Sequence, residues 1–181
     1  MNQQKEIREV ILLLSFWVSQ ISLNNALELT DINKLSEDLS LKLLNEIYGY
    51  KLKNLNQERC SYPGVDLGDS DDSHVAFQIT SESTARKIKK SLETFANNNL
   101  NQTFRNGMKF LLLKDKRKRY SADFSQISPS FNPKRDIVTI GDLVQEISKI
   151  YNSDISKFER LKHILRAELS ETRNIINNAN I

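Results

Sequence analysis

The stretch from Tyr62 to Leu100, YPGVDLGDSDDSHVAFQITSESTARKIKKSLETFANNNL, constrains the fold of this chain more than any other. A Pro-Gly turn leads into Val65-Asp66-Leu67, an acidic loop follows, and Val75-Ala76-Phe77-Gln78-Ile79-Thr80 is an apolar run of strand length. A helix is then expected to open at Ser81 or Ser83. The pattern predicts a β-hairpin with a helix packed behind it. Asp66 and Gln78 stand out, because both are polar side chains embedded among apolar neighbours. A strand interior holds a carboxylate only where something pairs it or where it does chemistry. Residue types alone leave two readings open. Either Asp66 caps a turn and Gln78 faces solvent on an edge strand, or the two belong to a site.

Composition narrows the class. A chain of 181 residues with 39% hydrophobic and 27% charged side chains suits a soluble globular domain with an appendage. The net charge of +3 permits contact with nucleic acid without demanding it. The single cysteine, Cys60, precludes an intramolecular disulfide, and beside only His74 and His163 it does not suggest a zinc site. A reducing, cytoplasmic location is expected. The run Val10–Val18 is too short to span a bilayer. Charged residues flank it at Lys5, Glu6, Arg8 and Glu9, and no small-residue cleavage site follows, so it reads as a buried helix with no membrane role.

That first helix, expected over residues 3–23, carries Ile7, Val10, Ile11, Leu14, Trp17, Val18 and Ile21 at helical spacing. Leu12, Leu13 and Phe16 make it apolar on nearly every side. More than one surface has to cover such a helix, whether within the chain or across a homodimer seam, and a homodimer is expected. A second helix is predicted from Thr30-Asp31 to Tyr48, stopped by Gly49, with Leu35, Leu39, Leu43, Leu44 and Ile47 as its stripe and Glu37 beside it. Tyr50–Leu55 alternates like a strand, and Met108–Leu113 reads as a central strand buried on both faces. The basic stretch that follows holds Lys114, Lys116, Arg117, Lys118 and Arg119. It is either a solvated hairpin tip or a phosphate-contacting segment. A strand over Asp136–Ile140, a helix over Leu143–Tyr151 and a polar helix over Ile155–Ile176 complete the order. The last helix has few apolar residues and is expected to be an appendage, connector or oligomer arm. The division is then a domain over 1–151, with its core over 30–151, and a helical appendage over 152–181.

The order helix with Glu, strand, strand with Asp, strand with Gln, helix, strand resembles the PD-(D/E)XK, or restriction-endonuclease-like, nuclease core. Glu37-Asp38-Leu39 with Tyr48-Gly49-Tyr50 resembles the first helix and strand of its methylation-directed restriction branch. Pro63-Gly64-Val65-Asp66-Leu67 is similar to that branch's metal-binding aspartate strand, and Phe77-Gln78-Ile79-Thr80 to its (Glu or Gln)-X-Lys strand. More narrowly, TDINKLSEDLSLKLLNEIYGY, PGVDLGD and AFQITSESTARKIKKSLE resemble, over roughly Ile7 to Ile150, the SMEK domain, which is similar to an effector or N-terminal module of bacterial anti-phage conflict systems. The fold class implied is α/β: a restriction-endonuclease-like mixed β-sheet flanked by helices, with an extra N-terminal helix and a C-terminal helical appendage.

The resemblance implies a metal-dependent nuclease acting on invading DNA or RNA. Asp66, Gln78 and Glu37 would hold Mg2+ or Mn2+, with the Ile79 carbonyl as a further oxygen. Oxygen donors of this kind suit such ions, which activate water and neutralise charge on the phosphate. The lysine of the family pattern falls at Thr80, which supplies no positive charge. Lys87, on the following helix, is the expected substitute catalytic residue, with Lys89 second. The alternative is a catalytically degenerate module of the same fold that binds nucleic acid or protein, and nothing favours a different phosphoester hydrolase. Implied partners are DNA or RNA, through Lys114, Lys116, Arg117, Lys118 and Arg119, and other defence-system subunits.

Overall fold

The computed structural model describes residues 3–27, 31–57, 62–116 and 119–178, so expectations placed on Thr30, Cys60, Arg117 and Lys118 lie outside the described residues. Five strands, β1 (Lys53–Asn54), β2 (Leu67–Asp69), β3 (Val75–Thr80), β4 (Met108–Leu112) and β5 (Ile137–Thr139), make one mixed sheet in chain order. β1, β2 and β3 run antiparallel, while β3, β4 and β5 run parallel. The helices are α1 (Gln3–Ala26), α2 (Asp31–Tyr48), α3 (Ala85–Asn97), α4 (Pro133–Asp136), α5 (Ile140–Ser153) and α6 (Ile155–Asn178). No helix among the described residues is long and apolar enough to cross a membrane.

Strand alternation sorts the core into two layers. Leu67, Val75, Phe77 and Leu111 face a layer built by α1, α2, α5 and α6. Ala76, Met108, Phe110 and Leu112 face the other, where Ile88, Leu92 and Phe95 of α3 meet Phe104 and Phe124. Burial on both faces is why β4 reads as an unbroken apolar run. It lies inside the sheet as expected, although β3 is the middle strand.

Several boundaries differ from the sequence expectation. Only Lys53–Asn54 of the expected strand 50–55 pairs with β2, and Asp66 lies one residue ahead of β2 rather than on it. Helix α3 opens at Ala85, not at Ser81 or Ser83, because the Thr84 side chain accepts the Lys87 N–H at 3.1 Å. Ser83 is buried and otherwise engaged, receiving the Lys114 Nζ at its hydroxyl and the Tyr120 hydroxyl at its carbonyl. The strand expected from Asp136 starts at Ile137, since Asp136 closes α4 and accepts bonds from the Asn132 N–H, Lys109 and Arg135. Thr139 and Asp142 form a reciprocal capping box that starts α5 at Ile140. Gly141 is required there, because a Cβ would lie 2.3 Å from the Asp115 carbonyl oxygen.

The C-terminal helix is present, but its first half is no appendage. Phe158, Leu161, Leu165 and Leu169 are fully buried against α1, α2 and α5. Their 3-and-4 spacing makes a core-facing stripe inside a helix whose overall composition is polar. Helix α1 is likewise covered by its own chain. Val10, Leu14, Trp17 and Ile21 are buried, and the Trp17 indole N–H donates to the Ser36 hydroxyl of α2 at 3.3 Å. The apolar side chains left exposed around α1 form a narrower strip: Ile11, Leu12, Leu23 and Leu27.

Candidate functional site

At the end of β3 the sheet opens. The β2–β3 ladder runs from Asp69↔Val75 to Leu67↔Phe77, and one residue further the backbone no longer supplies the next acceptor. The Asp66 side chain does so instead, its Oδ2 accepting the Ile79 N–H at 2.7 Å while the Asp66 N–H donates to the Phe77 carbonyl at 3.0 Å. Asp66 therefore terminates a ladder and still presents its carboxyl to the opening. Burial is the main reason its pKa is pushed up to about 6. The Ile79 N–H opposes that shift, the charge of Glu37 adds to it, and Asn56 and Lys87 pull it back down.

Gln78 sits on the middle strand and is 8% exposed, so the reading that places it on a solvent-facing edge does not hold. Its Oε1 is buried and has no hydrogen-bond partner among the described residues. A buried acceptor left unmade costs roughly 1–3 kcal/mol, which makes it a mark of strain or of a missing ligand.

Glu37 enters from the second turn of α2. Its Oε2 accepts from the side-chain amides of Asn56 at 3.1 Å and Asn54 at 3.4 Å. Asn54 also donates to Asp38, as does Gln57, so amides from β1 and the turn after it hold the adjacent acids Glu37 and Asp38 of α2. Lys87 arrives from the first turn of α3. Glu37, Asp66, Gln78 and Lys87 all line one cavity of about 400 Å³, together with Thr80, Ser81 and Glu82. The end of α1 walls one side with Ile21 and Asn25, and the Asn25 amide donates to the Ser81 hydroxyl at 2.9 Å. Four residues expected from sequence to form a site thus share one cavity. Lys89, the second choice of cation, does not line it and is exposed.

Thr80 lines the cavity but is neutral, and its hydroxyl accepts the Glu82 N–H at 3.1 Å. Among the described residues no group of three or more His, Cys, Asp or Glu side chains is placed to hold a metal ion. The charged and amide oxygen donors lining the cavity are the carboxylates of Glu37, Asp66 and Glu82 and the amide of Gln78. Such a set fits a hard divalent cation that keeps several waters, and the orphaned Gln78 Oε1 fits a missing oxygen-seeking ligand. It does not fit zinc, which seeks nitrogen and sulfur.

The basic stretch begins beside the site. β3 and β4 are parallel, Thr80 pairs with Leu112, and the Leu113 N–H donates to the Thr80 carbonyl. Lys114 therefore leaves the sheet at the same end as Gln78 and Thr80. It is no hairpin tip, because β4 and β5 run parallel. Lys114, Lys116 and Arg119 are exposed. Missed from the sequence were Asn54, Asn56, Asn25 and Ser81, and the amide-rich run Asn54-Leu55-Asn56-Gln57 was the one available signal.

The SMEK domain family model matches residues 9–148 of the chain. No curated protein and no solved structure matches it.

Proposed function

The chain belongs to the SMEK domain family, and from that premise and the site's geometry we propose that it is a divalent-metal-dependent nuclease of the restriction-endonuclease-like kind. One observation carries the reading. Two carboxylates, an amide oxygen without a partner and a lysine, drawn from α2, the β2–β3 end and α3, line a single cavity. Asp66, Gln78 and Glu37 would hold Mg2+ or Mn2+, and a bound ion would activate water and neutralise charge on the phosphate. Asn54 and Asn56 orient Glu37. The Ile79 N–H fixes the Asp66 rotamer by holding Oδ2. Lys87 supplies the positive charge that Thr80 lacks, countering charge that develops on the phosphate oxygens. The nucleic acid would be DNA or RNA entering a bacterial cell, met in company with other defence-system components.

The test is cleavage of DNA and RNA with Mg2+ and with Mn2+. Asp66→Ala is expected to abolish it while leaving the circular dichroism spectrum unchanged. Lys87→Ala is expected to slow it by about 10²–10³-fold, the scale of losing one preorganised charge-stabilising group. Thr80 favours a second reading, a binding module of the same fold without catalysis. A wild type that cuts neither substrate with either ion, and a Thr80→Lys variant that binds metal yet stays silent, would establish that second reading instead.

We further propose that two copies pair through the exposed strip around α1, where Leu12, Leu23 and Leu27 are 70%, 62% and 70% exposed.

A further inference from the structure

A second hollow, of about 510 Å³, adjoins the cavity and shares Gln78, Glu82 and Lys87 with it. It runs between the Gly64 turn and α3, where Arg86, Lys87, Lys90 and Thr94 form one wall. At about 100° per residue those four positions fall on one face of the helix. Ile88, Leu92 and Phe95 point into the core, and exposed Lys89 falls on the third face. From residue 86 to residue 94 the wall is about 12 Å long, given 1.5 Å of rise per residue.

The charge arrangement is unfavourable as it stands. The first turn of α3 holds no acid, yet it carries Arg86 and Lys87 at the positive end of the helix dipole. None of Arg86, Lys87 and Lys90 forms an ion pair with a described carboxylate. Among the described residues the one carboxylate in the hollow, Glu82, accepts a bond from the Thr84 hydroxyl at 2.7 Å. Independently, the Gln78 side chain at the junction of the two hollows is buried with an unpartnered oxygen. A bound anion would relieve the first feature, whereas the Gln78 oxygen, an acceptor, calls for a cation or a donor where the hollow meets the metal cavity.

We propose that this hollow is a phosphodiester track. It holds the backbone of one nucleic-acid strand, with Arg86 and Lys90 on its phosphates and Lys87 at the point where the strand passes into the metal cavity. Twelve ångströms accommodates roughly three phosphates at the 3.4 Å rise of a duplex strand. The proposal rests on the nuclease reading for what happens at the cavity, and the track itself binds by charge. It differs from the basic stretch after β4, which leaves the sheet on the far side of Thr80.

The experiment is fluorescence anisotropy of labelled single-stranded DNA, single-stranded RNA and duplex DNA, with EDTA present, across a salt series. The wild type should bind at least one of them, and the arms identify which sugar and strandedness fit. Arg86→Ala and Lys90→Ala should each lower the slope of log affinity against log salt by about 0.7 for a single strand, or about 0.9 for a duplex. Lys89→Ala, on the third face, should leave it unchanged. Unchanged slopes in both track variants, an equal effect of Lys89→Ala, or no binding by the wild type would overturn the track. A cleavage assay on the same proteins separates the two ideas. Cleavage by the wild type that Arg86→Ala and Lys90→Ala leave untouched sinks the track and spares the nuclease. The expected slopes without any cleavage do the reverse.

Discussion

In the proposed nuclease Asp66 is the residue on which the chemistry would turn, and its environment makes it testable without any substrate. Its carboxyl is held up near 6, above the ordinary 3.8, chiefly by burial. A raised carboxyl means that the fold disfavours the ionised form, so this group's contribution to stability is full below pH 4 and is lost as pH rises through 6. Asp66→Asn keeps an oxygen for the Ile79 N–H and removes that loss. With the carboxyl raised from 3.8 to about 6, it is expected to stabilise the protein at pH 7.5, by up to about 3 kcal/mol, and not at pH 3.5. Urea titrations at the two pH values check it, and equal effects at both would contradict it. If the site holds a metal as proposed, protons and metal would compete for the same oxygens. Mg2+ affinity measured by calorimetry should therefore fall on acidification below pH 6 in the wild type. Gln78→Glu should tighten metal binding, because it adds a ligand charge where a neutral, unpartnered oxygen now stands. Asp66 and Gln78 were legible in the sequence because polar residues in an apolar strand are costly. Asn54 and Asn56 were not, because amides next to a turn are ordinary there.

Among elements, the α1–α6 pairing shows most clearly how a polar helix becomes core. Lys162 of α6 is 5% exposed and donates to Glu6 of α1 at 2.6 Å and to Glu159 at 2.9 Å. Arg166 clamps Glu9 with two bonds of 2.5 and 2.8 Å. Such a buried charge is worth little net when paired and much when its partner is removed. Lys162→Ala should cost about 3–5 kcal/mol, while Lys162→Met with Glu6→Gln should recover most of that. Chemical denaturation reads both, and a Lys162→Ala cost under about 1 kcal/mol would show that α6 is only loosely attached. The β2–β3 turn makes the same point with one carboxylate. Burial works to raise the pKa of Asp69, but bonds from the Asp72 and Ser73 N–H groups, the Ser73 hydroxyl and the Lys51 N–H hold it far below the usual range. A depressed carboxylate gives stability that is present above pH 4 and lost as pH falls through its folded value. Asp69→Asn should therefore destabilise the fold at pH 7 and make the remaining stability less sensitive to acid below pH 4. The acidic loop is structural, with Asp71 and Asp72 paired to Lys53 and Lys51.

For the whole molecule, the outer side of α1 is the surface that bears on assembly. Trp17 is buried within one chain, so the helix is not an orphan. What remains is the strip of Leu12, Leu23 and Leu27, and self-association through it is the expected outcome. Light scattering at micromolar concentration should give a dimer, and Leu12→Lys with Leu23→Lys should give a folded monomer. A monomeric wild type ends that idea. It leaves the site untouched, because Ile21 and Asn25 reach the cavity from the same chain.

The sequence by itself determined the existence of the five strands, the five longer helices and most of the candidate site, but not the short α4. Periodicity is a local property, and Asp66, Gln78 and Lys87 lie within one continuous strand–turn–helix segment whose geometry short-range rules dictate. Tertiary structure alone decided three things. It brought Glu37 to that segment across the sheet and supplied the amides that hold it. It buried the stripe of α6, whose four apolar residues have no meaning until α1, α2 and α5 surround them. It also placed the start of the basic stretch beside Thr80, because β4 runs parallel to β3. Each of these depends on desolvation by residues distant in the chain, and a linear pattern carries no record of which surface will do the desolvating.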